Sequence, residues 1–411
     1  MPNEAPFPPP QPPGKPRVSP RLSRARALKI LRRCDELGAI SEEPGQLTRT
    51  FASEAMGRAN KLAGSWMRVA GLTVREDAAF NLLGRWDSAK PGAKTLLLGS
   101  HLDTVRNAGK YDGPLGVLTA IAAVETLRER GVKLPFHLEI AGFSDEEGVR
   151  YQTAYLGSRA LAGTLTKADL ARIREKQIVG ARRRRGEFLA YAEVHIEQGP
   201  VLEKNRLPVG VVTAIAGQSR LLVEFHGVAG HAGTVPMRLR RDALAGAAEF
   251  ILATENCGVL ATVGRLAAEP GASNVISGKT VLTLDVRSQS DSRRRAAVGS
   301  LHQQAQAIAR RRKLKLLWQP VQQTSAVPCD RRLTQIFCRC LAQRGLKVLR
   351  LPSGAGHDAV AMSAVCPVAM LFVRCQGGIS HHPAESVKTA DVAVAIDVLT
   401  AFIETLATRH A

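Results

Sequence analysis

Aromatic side chains are scarce. Phe, Trp and Tyr supply only 4% of this 411-residue chain. Surfaces that stack nucleobases are built from such rings, so the material for base stacking is thin. Acidic residues are outnumbered, with 36 Asp and Glu against 57 Lys and Arg, a net charge of +21. Much of the surplus lies in the short runs Arg182 to Arg185, Arg238 to Arg241, Arg293 to Arg295 and Arg310 to Lys313. No zinc-finger or RNA-recognition signature accompanies it, which sets nucleic acid aside as the main partner. Attraction of a small anionic substrate is a second reading of the charge, and solvated Arg-rich faces are a third. The seven cysteines, Cys34, Cys257, Cys329, Cys338, Cys340, Cys366 and Cys375, are odd in number, scattered and never spaced C-x-x-C. That argues against a disulfide framework and a cysteine-held zinc site, and a reducing cytoplasm is the expected compartment. Long apolar runs are missing as well. Nothing approaches the length of a signal peptide or a membrane span.

Proline, by contrast, crowds the start, MPNEAPFPPPQPPGKPRVSP, and residues 1–22 are expected to form a disordered tail. The length implies two domains rather than one. Leu22 to Leu37 and Ser53 to Val69 have helical spacing, and Leu72 to Trp86 alternates as strands do. KTLLLGSHLDTV reads as a buried strand, GPLGVLTAIAAVETLRERG as a helix and FHLEIAGFSDEEG as a strand ending in acids. Strand, helix, strand predicts an α/β domain with a mostly parallel mixed sheet flanked by helices. From Leu207 to about Pro328 the order is β-α-β-β-α-β, the ferredoxin-like order. We therefore expect an inserted α+β domain over 207–328 and a discontinuous α/β domain over 23–206 and 329–411.

Acids and histidines concentrate in SHLDTV with YDG, SDEEG, EVHIEQGP and SHHPAE, at strand ends or in adjoining loops. In an open α/β sheet the carboxyl ends of strands converge on one crevice, so distant segments can meet there. His101 can bind a metal through one ring nitrogen while the Asp103 carboxylate fixes the other. Asp112 precedes a helix in a glycine-rich turn, where it can bridge cations or simply cap the helix. Asp145, Glu146 and Glu147 are costly side by side unless cations compensate them, although a solvated loop is the commoner fate of an acidic run. Each histidine taken alone reads as structural. Together His101, Asp112, Glu147, His195 and His381 offer three imidazoles and two carboxylates, enough for two divalent metals sharing Asp112.

The longer motifs GSHLDTVRNAGKYDGPLG, FSDEEGVRY, EVHIEQGPVLE, GHAGTVPMRLRRDA, SNVISGKTVLTLDVR, SGAGHDA and GISHHPAE resemble a family of binuclear-metal amidohydrolases, from about Thr48 to the end of the chain. That family is related to co-catalytic amino- and carboxypeptidases. It includes N-carbamoyl-L-amino-acid hydrolase, allantoate amidohydrolase and a yeast-type β-alanine synthase. The resemblance implies one metal at His101, Asp112 and His195 and another at Asp112, Glu147 and His381. Zinc or manganese is expected, and cobalt or nickel would also suit the ligands. It implies Glu146 as general base. It also implies His231 as stabiliser of the tetrahedral oxyanion, reaching the active site of a partner subunit. A homodimer follows, with the inserted domain as interface and lid. Asn274 and Arg287 would bind the substrate carboxylate, and Gln198, the backbone around Gly356 and His357 would line the pocket. Two positions depart from the family pattern: Phe80-Asn81 replaces its usual Gly-Asn, and Ser277 its frequent proline.

The implied reaction is hydrolysis of the C–N bond of a small ureido acid, with release of ammonia and carbon dioxide. VRNAGKYDGPLG and FSDEEGVRYQTAYLGS are closer to bacterial sequences assigned to allantoate, which makes allantoate the expected substrate. An N-carbamoyl-L-amino acid is the alternative and would call for an apolar side-chain pocket. A peptidase or a catalytically silent binding protein ranks below both, because candidates for the base and every ligand are intact.

Overall fold

The computed structural model describes residues 20–410. The expected tail over 1–22 lies outside the described residues except at its end. There the expectation fails, because a helix spans Pro20–Gly38. Proline is compatible with a first helical turn, whose N–H groups have no intrahelical acceptor.

The described chain divides into two compact units. The first holds the chain up to Thr213, Cys329–Leu351 and the residues from His357 onward. Its sheet runs Thr73–Glu76, Leu82–Trp86, His137–Phe143, Thr95–His101, Phe188–Ile196, Val368–Val373 and Val209–Ile215. The four middle strands are mutually parallel, and the outer ones pair antiparallel. Strand Thr95–His101 is buried along its whole length, as a strand covered on both faces must be. The helix Pro114–Glu129 is buried without a break from Pro114 to Val124. It shares one core with the helices Pro20–Gly38, Arg331–Ala342 and Thr389–His410 and with sheet residues such as Leu98, Ile140, Val194 and Leu371. Because the middle strands are parallel, their carboxyl ends open on one edge. His101, the Ser144 to Glu147 turn, His195 and the segment after Val373 all emerge there.

The second unit is Ala214–Pro328 with Pro352–Gly356. The sequence boundary at 207 falls too early, because Val209 to Val212 pair with Val373 to Met370 in the first unit's sheet. Four antiparallel strands stand in the order Lys315–Thr324, Gly217–His226, Lys279–Ser288, Leu260–Glu269. The helices Ala243–Glu255 and Asp291–Arg311 complete the β-α-β-β-α-β order. Burial alternates along Gly217–His226 and Lys279–Ser288. Leu221, Val223, Leu282 and Leu284 pack on Phe250, Leu301 and Ile308 from the helices. The intervening residues, Gln218, Arg220, Leu222, Thr283, Asp285 and Arg287, therefore lie on the face away from that core.

Candidate active site

Asp112 is the hub of the strand-end cluster. Its Oδ1 lies 3.1 Å from His195 Nε2 and 3.6 Å from His101 Nε2. Its Oδ2 lies 3.3 Å from His381 Nε2, and that nitrogen is in turn 3.3 Å from Glu147 Oε1. The second ring nitrogens settle the tautomers. His101 Nδ1 faces the Asp103 carbonyl at 3.0 Å and His195 Nδ1 the Ile196 carbonyl at 2.9 Å. A carbonyl only accepts, so Nδ1 carries a proton, and it is loss of the other proton that frees the Nε2 lone pair for a cation.

His101, Asp112 and His195 form one group whose ligand atoms lie within 4.8 Å of one another, and Asp112, Glu147 and His381 form a second. Each can hold a divalent cation. The buried Asp112 Oδ1 accepts no hydrogen bond, and imidazole with carboxylate is the donor set that borderline cations prefer. The electrostatics agree. Burial, then the charge of Glu147, pushes the Glu146 carboxyl well above its usual range. Burial, then Asp112, lifts Glu147 to about 7. Burial opposes ionisation of Asp112, yet His101, His195 and His381 hold it well below the carboxylate range. Carboxylates crowded out of water are what bound cations offset.

Glu146 joins His101 and Glu147 in a third close group. Asp103 keeps its expected contact with His101 only loosely. Its carboxylate is 3.5 Å from His101 Nδ1, farther than its own carbonyl. Instead Oδ1 accepts the Glu146 amide at 3.0 Å and Oδ2 the Glu147 amide at 3.1 Å. Asp103 therefore orients the acidic turn with its side chain and His101 with its backbone. Gln198 has a left-handed φ of 55° and donates Nε2 to Asp112 Oδ2 at 2.8 Å. His381 also adopts a left-handed φ, 57°. His357 is buried, its ring 4.5 Å from that of His195.

In the second unit, His231 pairs with Val275 and the Ala232 amide donates to the Asn274 carbonyl, so His231 and Asn274 share one exposed turn. Arg287 is forked onto Asp285, and its Nη1 donates to the Gly354 carbonyl at 2.7 Å. Gly356 belongs to the same short segment as Gly354.

Several residues were missed. Ser380 Oγ donates to Asp112 Oδ2 at 2.7 Å. Glu385 Oε1 accepts the Tyr111 and Asp112 amides at 2.8 and 3.0 Å. Glu193 accepts from Ser100 Oγ, Tyr191 Oη and the Ala359 amide. Arg49, wholly buried, donates Nε to the Leu102 carbonyl at 2.6 Å. Of these, Glu193 carried a signal, being an acid inside an apolar strand two residues before His195. The two departures are local. Phe80 takes the left-handed φ of 61°, and Asn81 Oδ1 still accepts the Ser144 amide beside the acidic turn. Ser277 Oγ lies 2.9 Å from the Lys279 carbonyl.

The model of peptidase family M20/M25/M40 matches residues 97–405. The chain belongs to that family. The M20/M25/M40 fold recurs in a hydantoinase/carbamoylase-family amidase from Burkholderia multivorans, with a TM-score of 0.88 and 29% identity over 93% of this chain and 98% of that one. An N-carbamoyl-L-amino acid amidohydrolase from Geobacillus stearothermophilus is 40% identical, covering 90% of this chain and 96% of the relative. A probable allantoate deiminase from Oryza sativa subsp. japonica is 40% identical, covering 90% and 87%. The chain is accordingly a hydrolase of carbon–nitrogen bonds within this M20 group. Among the described residues no helix is long and apolar enough to cross a membrane.

Proposed function

We propose that this enzyme hydrolyses the carbamoyl C–N bond of a small ureido acid at a pair of divalent cations, zinc or manganese. Ammonia leaves in that step, the carbamate left behind loses carbon dioxide to give the amine, and allantoate is the first substrate. The observation that carries the reading is Asp112, set between His101 and His195 on one oxygen and beside His381 on the other. Cations bound by these residues supply Lewis acidity, polarising a carbonyl oxygen and acidifying water. Glu146 takes the proton of the attacking water and delivers it to the leaving nitrogen. Burial raises its carboxyl, the direction that a group taking a proton and returning it requires. Arg287 receives the substrate carboxylate. Gln198, Gly356 and His357 line the pocket. His231 and Asn274, on their exposed turn, engage a second copy of the chain, with the second unit as lid and dimer interface. All seven cysteines are free, consistent with a cytoplasmic setting.

One observation favours the N-carbamoyl-L-amino acid as a second substrate reading. A groove of about 490 Å³ in the second unit is lined by Leu222, Leu260, Val321 and Thr262 and reaches Arg287. An apolar wall beside the carboxylate receptor is what a substrate with an apolar side chain requires.

Ammonia release from allantoate, N-carbamoyl-L-amino acids and dipeptides, with zinc or manganese added, tests both readings. Glu146→Gln is expected to lower kcat by about 10²–10⁴-fold at unchanged metal content. Undiminished turnover in that variant would remove the mechanism. Cleavage of dipeptides with no ammonia from either ureido class would remove the substrate assignment.

A further inference from the structure

We propose that Asp285 is the positioning residue that presents Arg287 to a substrate carboxylate, and that this clamp sets the enzyme's demand for an anionic substrate. The proposal rests on the reading of Arg287 as the carboxylate receptor.

Asp285 and Arg287 are two apart on one strand and therefore share a face. Antiparallel register places Asp285 opposite Arg220 and Arg287 opposite Gln218. Around Asp285 that face brings together two guanidiniums, two carboxamides, Gln218 and Gln322, and one carboxylate. Arg287 donates Nε to Asp285 Oδ1 and Nη2 to Oδ2, both at 3.0 Å, the side-on fork that suits a planar guanidinium. Its Nη1 donates to the Gly354 carbonyl at 2.7 Å. Asp285 Oδ2 is held from behind by Gln218 Nε2 at 2.5 Å and by Arg220 Nε at 3.3 Å.

Three anchors fix the Arg287 plane, yet its side chain keeps 33% of its surface exposed. A guanidinium has five N–H donors, so these bonds leave one N–H on Nη1 and one on Nη2. One carboxylate against two guanidiniums also leaves one positive charge unmatched, which is the charge of a single substrate carboxylate. Burial opposes ionisation of Asp285, but the Arg287 hydrogen bonds and charge hold its carboxyl below the usual range, so the clamp stays anionic near neutral pH. A free arginine loses rotamer entropy on binding an anion, whereas a clamped one has lost it in folding.

Asp285→Asn keeps the shape, removes the charge and turns a donor toward Arg287. Kinetics are compared for an N-carbamoyl-L-amino acid, its carboxamide analogue and allantoate. For the carboxylate substrates, KM is expected to rise about tenfold or more with kcat nearly unchanged, because a charge-assisted fork is lost from the receptor and not from the reacting atoms. KM for the carboxamide should hold, and Asp285→Glu should recover part of the loss. Gln218→Ala, which removes only one support of Asp285, should shift KM in the same direction by less, and it decides the matter if Asp285→Asn melts early. Arg287→Ala should abolish the preference for carboxylate over carboxamide. If it does so while the Asp285 and Gln218 variants keep parental KM values, the clamp is refuted and the receptor stands. If the preference survives Arg287→Ala, the receptor reading falls and the clamp with it.

Discussion

Replacing Asp103 by Asn tests whether the acidic turn is held by this side chain. In the native arrangement two buried carboxylate oxygens each accept one backbone N–H, from Glu146 and Glu147. Asn keeps one acceptor and points an amide donor at the other N–H. The loss is one charge-assisted bond, about 1.5–3 kcal/mol, and one buried N–H left facing a donor, about 1–3 kcal/mol. An opposing effect exists, since the Asp103 charge helps raise the Asp145 and Glu146 carboxyls and its removal relieves that repulsion. The net is expected near the lower end, on the order of 3 kcal/mol, which a domain with about 5–15 kcal/mol of stability survives. The strain falls on the peptides that carry the proposed base and one proposed ligand. We expect a folded variant with a lowered melting temperature, and with metal affinity and kcat together reduced by about a hundredfold. Calorimetric melting, metal content after dialysis against graded chelator, and ammonia release measure the three effects. Parental metal affinity and parental kcat in Asp103→Asn would refute the reasoning, whatever the melting temperature does.

Gly113→Ala should be worse than its size suggests. The new Cβ would stand 2.5 Å from Cε1 and Nδ1 of His101, at a φ of 83°. With a ψ of −65° the backbone is in the γ-turn conformation that is rare and strained for a residue with a side chain, so both melting temperature and metal content should fall, and their preservation would show that His101 can move aside. Metal uptake should also release protons. The hydrogen bond to Asp112 raises His381 to about 9, so it is protonated below that pH and must lose its proton to bind a cation. Apparent metal affinity should therefore climb with pH and level off above about 9. Titration calorimetry in buffers of differing ionisation enthalpy reads the released proton, and a pH-independent affinity across that range would contradict it.

The parts of the site written as contiguous motifs at strand ends were legible in the sequence, because parallel strands deliver their carboxyl ends to one edge. His101, Asp112, Glu147, His195 and His381 were expected to meet on that ground, with the choice of Glu147 and His381 over their neighbours resting on the family resemblance, and their ligand atoms do lie close together. What hydrogen-bonds to them was harder to read. The role of Asp103 turned on whether a carbonyl or a carboxylate lies nearer an imidazole, a matter of ångströms that spacing does not encode. Ser380 and Glu385 stood inside a quoted motif without a role, since their targets are on Asp112 and its amide, far away in sequence. In the second unit strand alternation told which residues share a face, but the Asp285 clamp also needed the register with Arg220 and Gln218. The early helix at Pro20 shows the opposite error, in which composition outweighed a local exception.

Ser380 and Asp112 touch across 268 positions of chain. Translation must therefore reach at least His381 before the Asp112, Glu147 and His381 group can close. A nascent chain exposed only through Val373 would already hold the central sheet residues and still lack His381 and Glu385. The group of His101, Asp112 and His195 needs nothing beyond His195, whereas the group of Asp112, Glu147 and His381 waits for the segment after Val373. A premature stop just upstream of Ser380 would remove His381 and Glu385 together with the core helix Thr389–His410, so one ligand group and part of the core would be lost at once.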